Sequence, residues 1–350
     1  MNNAARPRSP GWQGSAGLRK LTLILAALAV TFSCTSCEAK NQEPVSEWRL
    51  LLDTICTITL YEPRDRALAI EALDLCQEYE KLFSVTIEDS DVWRINHAEG
   101  APVTVSPQTT ELICMGLNFG ILSGGMFDIT IGGLTSLWNF KGDPAVPAAE
   151  DINAALSSVD FRSVIVSKNE NTVQVKNSEA RLDLGGIAKG FIADKIAGFL
   201  LDRGVKAAVI DLGGNVYVLG RKPGGSPWRV GVRKPFSVNG ELFGTIETGA
   251  ASVVTSGVYE RQFESGGVVY HHILDPKTGA PVISDVVSAT VITESSAEGD
   301  ALSTTLVLAG SEKAGELTSG VPGFIGAILI LVGGDVLRIG EIELIIDGSY

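Results

Sequence analysis

A chain of 350 residues, 45% hydrophobic and carrying 39 glycines, is long enough for one large domain or two lobes around a substantial core. Its 28 basic and 41 acidic residues give a formal net charge of -13, which argues against a nucleic-acid or anionic-lipid surface. A phosphate-rich ligand would need a metal ion or backbone amides to offset its charge.

The chain opens with Arg6, Arg8, Arg19 and Lys20 ahead of an uncharged apolar run from Leu21 to Phe32. That is the layout of a signal peptide, too short for a comfortable transmembrane span, and it predicts export. Cys34 and Cys37 follow it. Their spacing could serve a redox pair or half a zinc site, but no second pair at metal spacing follows, and a bacterial lipoprotein cleavage site is the better reading. Residues 1–37 are then a leader and 38–350 a single domain. Neither cysteine has the leucine common three places before such a site. Cys56, Cys76 and Cys114 are expected to be buried, apolar in role and outside any disulfide framework.

Thr54 to Tyr61 alternates as a strand, and Leu68, Ala72, Leu75, Tyr79 and Leu82 recur at helical spacing after it. Ser106 with Pro107 announces a second helix that ends at Gly124-Gly125. Residues 141–155 read as a surface connection leading to a short helix. Asn169-Glu170-Asn171 marks a hairpin between two strand-like pieces, Val164 to Val175. Leu182-Asp183-Leu184-Gly185-Gly186 leads into a helix to about Arg203, then a strand from Lys206 to Leu212. Trp228 to Arg233 is another clear strand, and Gly333-Gly334-Asp335 turns a final hairpin that predicts strands Ile325 to Val332 and Val336 to Ile346. Without regular strand–helix–strand alternation, the prediction is an α+β fold of largely antiparallel sheets with packed helices.

Four segments carry candidate chemistry. Asp183 to Gly190 lies where a strand gives way to a helix; its glycines allow close backbone approach, the helix start favours phosphate and Lys189 adds charge, although a plain turn with a capping carboxylate reads equally from these residues. It is neither a Walker A loop nor G-x-G-x-x-G. Asp300 and Thr304 share a helical face with Ser303 beside them, an oxygen set suited to magnesium, with an N-capping aspartate as the alternative. His271 and His272, two of the three histidines, face opposite sides if they lie in a strand, so one of them serves as acid/base or phosphate contact, or both belong to a surface hairpin. Ser256 before Gly257 lacks the G-x-S-x-G setting of a hydrolase nucleophile and reads as a phosphate or backbone hydrogen-bonding group.

Taken in order, Asp89-Ser90 through Asn96, Phe127-Asp128-Ile129-Thr130 with Leu137-Trp138, Leu182 to Gly190, Asp211-Leu212-Gly213-Gly214-Asn215, Thr255 to Tyr259, His271 to Gly279 and Asp300 to Thr304 resemble the ApbE family of FAD:protein FMN transferases, from about Trp48 to the final hairpin. The resemblance implies two lobes with FAD in the cleft between them and magnesium on its pyrophosphate. It implies metal ligation by Asp300, Thr304, Ser303 and the carbonyl of Gly186, and FAD contacts from Met126, Phe127, Asp128, Asp183, Lys189 and Ile273. His272 matches the family's recurrent histidine. The implied reaction is attack by a Thr or Ser hydroxyl of an acceptor flavoprotein subunit on the FMN phosphorus, with release of AMP; Lys189 and Asp300 assist, and His272 or a nearby carboxylate takes the proton. An FAD pyrophosphatase and a non-catalytic FAD-binding lipoprotein are the alternatives. The sequence departs from the family where Met-Gly-Thr reads Leu52-Asp53-Thr54, where a flavin-contacting Tyr is Thr86, and where some relatives carry a second carboxylate at Ser303.

Overall fold

The structure, a computed structural model, describes Met1, residues 43–237 and residues 239–346. By internal contact the chain divides into two compact units, Met1–Glu43 and Pro44–Tyr350, and every helix and strand below belongs to the second. The expected leader, with Cys34 and Cys37, lies outside the described residues. No helix among the described residues is long and apolar enough to cross a membrane.

The elements in chain order are β1 (Val45–Leu51), β2 (Thr54–Glu62), α1 (Arg66–Phe83), α2 (Asp91–Asn96), β3 (Val103–Thr104), α3 (Pro107–Leu122), α4 (Gly132–Trp138), α5 (Ala149–Leu156), β4 (Val164–Ser167), β5 (Thr172–Val175), α6 (Ala188–Asp202), β6 (Ala207–Leu212), β7 (Asn215–Gly220), β8 (Trp228–Arg233), β9 (Leu242–Thr248), β10 (Ala251–Gly257), β11 (Gln262–Ser265), β12 (Val268–His271), β13 (Val286–Thr293), α7 (Ser296–Ala309), α8 (Ala314–Ser319), β14 (Phe324–Leu331), β15 (Val336–Gly340) and β16 (Leu344–Ile345). An eight-stranded sheet runs β1-β2-β6-β7-β10-β13-β14-β15 with every neighbour antiparallel. Smaller antiparallel sheets are β16-β9-β8, β3-β5-β4 and the hairpin β11-β12. The architecture is the predicted α+β mixture.

The central strands are apolar on both faces, and their period of two sorts alternate residues into different cores. On β13 and β14, Ala289, Val291, Ala327 and Leu329 join the core under α1, α6 and α7, whereas Ile292, Ile328 and Ile330 join a second core with Trp228, Val230, Val232 and Ile246 of the three-stranded sheet. A third cluster gathers Leu134, Trp138 and Leu274 where α4 meets the β11–β12 hairpin. There Trp138, Phe140, Phe263 and Tyr270 stack or tilt against one another at 5.4 to 6.4 Å, and the Trp138 indole donates to the Gly279 carbonyl at 2.8 Å.

Local signals explain most boundaries. Ser106 caps α3 by accepting from Thr109 N–H, and Gly124 and Gly125 take positive φ just after it. Asp65 caps α1 and Ser295 caps α7. Cys56 and Cys76 are fully buried and Cys114 half-buried, all three free thiols. The predicted last strand breaks at Gly340, whose φ of 82° turns the chain, so Leu344–Ile345 pairs with β9 instead of continuing along β14.

Candidate active site

The turn Asp183 to Ile187 is built by its own backbone and carboxylate. Asp183 accepts from Gly185 N–H at 2.8 Å and from the Thr135 hydroxyl at 2.9 Å, and its own N–H donates to the Ile129 carbonyl. The carboxylate therefore holds a turn and does not cap the helix. At the start of α6 no side chain from the preceding residue caps the first turn.

That cap comes from another helix. Asp300 Oδ2 accepts from Gly190 N–H at 2.9 Å, and Asp300 Oδ1 lies 3.7 Å from Lys189 Nζ. In return Asp194 on α6 accepts from Ser295 Oγ, Ser296 N–H and Ala297 N–H at 2.7 to 3.0 Å, closing the start of α7. Burial pushes the Asp194 carboxyl above its ordinary value, and the three hydrogen bonds oppose the rise. The exchange needs close approach, and Gly190 permits it: a Cβ there would lie 2.1 Å from the Ser296 carbonyl oxygen.

On the next turn of α7 the hydroxyls form a chain. Ser303 donates its one proton to the Asp300 carbonyl at 2.9 Å, so Ser256 of β10 donates to Ser303 at 2.8 Å and accepts from Thr304 at 3.2 Å. Asp300 is the fifth residue of α7, so the capping alternative does not hold. Carboxylate and hydroxyl oxygens are hard donors and fit a magnesium ion in kind. Among the described residues no group of three His, Cys, Asp or Glu gathers, so such a site would hold one carboxylate and otherwise neutral oxygens.

Segment 126–130 lies alongside this turn. The Phe127 ring abuts Gly186, where an added Cβ would sit 3.0 Å from it, and packs edge-on to Phe119. Met126 is half-buried against the main core. The Asp128 carboxylate is spent internally, accepting from Thr130 N–H, Thr130 Oγ and Phe161 N–H, with burial raising its pKa. It shapes the loop, whose backbone is held by Ser123 at Phe127 N–H and by Asp183 N–H at the Ile129 carbonyl.

His271 ends β12 and His272 lies just beyond it, and the two rings have different surroundings. His271 Nδ1 accepts from Ile273 N–H and Nε2 bonds the Val282 carbonyl, so its ring fixes the hairpin. His272 Nδ1 is buried with no hydrogen-bond partner among the described residues. Burial first, then the charges of Arg261, His271 and Lys189, push its pKa down to about 3. His272 N–H donates to the Arg261 carbonyl, one step beyond the Gln262–His271 pair of the β11–β12 ladder. Ile273 is buried beside it.

The structure thus sets Gly186 against Phe127, and Lys189 and Gly190 against Asp300, which Ser303 links to Ser256 and Thr304; Asp183 holds the turn between them, and Lys189 is among the charges that His272 feels. Sequence reasoning missed Asp194, Thr135 and the buried chain Ser252 to Ser296 to Asn215 at 2.8 and 2.7 Å. Asn215 ends the Asp-Leu-Gly-Gly-Asn segment that the resemblance marked, without its link to Ser296; Asp194 lies in the interior of a helix and gave no signal.

The ApbE family model matches residues 52–340. The chain is 39% identical to a FAD:protein FMN transferase of Klebsiella pneumoniae over 75% of its length and 82% of the relative's, and 37% identical to one of Treponema pallidum over 79% and 82%. Its fold is similar to the crystal structure of the ApbE protein of Thermotoga maritima, with TM-score 0.77 and 33% identity over 85% of this chain and 97% of that one, and to the flavin transferase ApbE of Vibrio cholerae, with TM-score 0.74 and 29% identity over 85% and 96%. Built around a carboxylate exchange between two helices and matched over nearly all of its second unit, the chain belongs to the ApbE family.

Proposed function

We propose that this protein is an FAD:protein FMN transferase that moves the FMN half of FAD onto a Thr or Ser hydroxyl of an acceptor flavoprotein subunit and releases AMP. The observation that carries the reading is the Gly190–Asp300 hydrogen bond, which sets the glycine turn and Lys189 against the oxygen-rich face of α7. In a chain of net charge -13, this is where a pyrophosphate finds offsetting charge. The flavin cleft is assigned to the space beside this turn, with Met126, Phe127, Asp128, Asp183 and Ile273 along it.

In the reaction the acceptor oxygen attacks the FMN phosphorus, the bond from that phosphorus to the bridging oxygen breaks, and AMP leaves. Lys189 places its ammonium near the anionic oxygens as charge builds in the transition state. His272 is held neutral, with Nδ1 open to accept a proton; an anionic diphosphate beside it opposes the cationic influences that depress its pKa. Asp300, Ser303, Thr304 and the Gly186 carbonyl would hold magnesium, whose chemistry there is neutralisation of phosphate charge. The N-terminal layout supports export and a lipid anchor at Cys34 or Cys37, which would place the protein on the extracytoplasmic side of a bacterial membrane.

Incubation with FAD, magnesium and a candidate acceptor tests the reading. Flavin fluorescence on the denatured acceptor supports transfer, free FMN and AMP alone identify a pyrophosphatase, and intact FAD identifies a carrier. Transfer unchanged in Asp300→Ala would remove the metal assignment.

A further inference from the structure

β1 is an edge strand with an inverted alternation. Its charged residues face the helices, where Arg49 pairs with Asp74 of α1 and Glu47 with Arg66. Its apolar residues face the other way: Trp48 is 66% exposed and Leu50 73%, and Ile55, directly opposite Leu50 on β2, is 57% exposed. The rest of the hairpin's face, Ser46, Thr57 and Thr59, carries no charge, and Asp211 stands beside it, opposite Thr57 on β6. Further along the same sheet face, the β8-β9-β16 layer supplies a cover, beginning where Tyr61 meets Trp228 at 5.0 Å edge-on. The cover stops short of Trp48 and Leu50. An exposed apolar edge is what soluble proteins avoid, because it invites association.

The position of this edge in the chain selects its occupant. Trp48 lies 48 - 37 = 11 residues beyond Cys37, and an extended chain spans at most about 3.6 Å per residue. A lipid on either cysteine therefore tethers β1 within roughly 40 to 50 Å of the bilayer, and among the described residues it is the first strand past the anchor. Tryptophan beside aliphatic side chains, without charge, is the composition that settles at a membrane interface. We propose that the Trp48–Leu50–Ile55 face of the β1–β2 hairpin rests on the bilayer surface and fixes the orientation of the anchored enzyme. The proposal rests on the lipid-anchor reading. With the protein at net charge -13 the contact is apolar, so it is insensitive to salt and needs no anionic lipid. It also orients the site, because the turn closing this hairpin places Asp53 in an ion pair with Lys141, next to the aromatic cluster that seats the His272 hairpin.

The test uses the full-length, lipid-modified protein in phosphatidylcholine vesicles, with and without bromine on the acyl chains. Five tryptophans less Trp12 of the leader leave four, so bromolipid should remove about a quarter of the emission at low and high salt, and the loss should vanish in Trp48→Phe. Protein that floats with vesicles but is quenched equally with and without Trp48, or not at all, overturns the orientation while the anchor stands. A disulfide-linked dimer formed readily by Leu50→Cys on vesicles also overturns it, by giving the face to a second copy. Protein that does not float with vesicles overturns the anchor and the orientation together.

Discussion

Asp194→Ala strikes the support of the candidate site without touching a proposed ligand contact. The substitution strands two backbone N–H groups and the Ser295 hydroxyl at the buried start of α7, where the carboxylate now accepts all three at 2.7 to 3.0 Å. Hydrogen bonds to a charged partner contribute about 1.5–3 kcal/mol each. Part of that is offset because burial disfavours the charged carboxylate, as its raised pKa shows. A net loss of about 3–5 kcal/mol follows, the range seen when one member of a buried charged network is removed. For a protein of this size that lowers the melting temperature by roughly 5–8 °C. Because α7 carries Asp300, Ser303 and Thr304, FMN transfer measured well below the melting point should also fall by at least about tenfold, the consequence of small misplacement at a reacting centre. Asp194→Asn keeps one acceptor oxygen and should lie between the two. Thermal melts read by circular dichroism, with transfer rates at 25 °C, provide the measurement. An alanine variant that melts within about 2 °C of wild type and transfers normally would refute the idea that α6 holds α7 in place.

Two glycines of α6 make a matched pair. A Cβ at Gly190 would meet backbone atoms of Ser296 and Ala297 at 2.1 to 2.7 Å, whereas one at Gly198 meets nothing within 4 Å. Gly190→Ala should cost about 1–3 kcal/mol or more and weaken FAD binding, while Gly198→Ala should stabilise by about 0.5–1 kcal/mol; equal melting temperatures for the two would contradict the close helix crossing. His272 supplies a pH signature. Its folded pKa of about 3 lies below the ordinary 6.5, so the unfolded chain binds its proton first. Stability is complete above pH 6.5 and falls as pH drops, by up to about 1.4 kcal/mol per unit. His271, also depressed by burial, adds to the same window. Asp53 and Asp91, lowered from 3.8, add theirs only below about pH 4. Urea titrations of His272→Gln between pH 6 and 4.5 should show a flatter slope than wild type.

Legibility followed the physics of each segment. Where the signal was local, it was readable: Ser106-Pro107 opening α3, Asn169 to Asn171 turning β4 into β5, and Gly333-Gly334 turning β14 into β15. β1 was obscure because its alternation runs backwards, with Glu47 and Arg49 facing α1 and Trp48 and Leu50 facing out. The end of β15 was misjudged because Gly340 ends the pairing inside an otherwise strand-like run. At the site, the donor residues on α7 and the glycine turn were visible as separate motifs. Their alliance followed only from the family resemblance, which set the Gly186 carbonyl beside Asp300, since a 110-residue separation divides Gly190 from Asp300 and no short-range pattern encodes it. Asp128 shows the opposite case: a family motif marked the residue, while its carboxylate is consumed in shaping the loop.

The central sheet has a further consequence. Because β13 and β14 give alternate residues to two separate cores, the sheet acts as a partition, with α6 and α7 on one side only. Val291 and Ala289 lie beneath α7, which carries Asp300, Ser303 and Thr304, while Ile292, one residue away, belongs to the β8-β9-β16 layer. Changes in that layer alter how firmly the wall stands without redrawing what is mounted on its other side. The far layer is thus the place where this protein can acquire new surfaces for partners while Asp300 and Lys189 keep their positions.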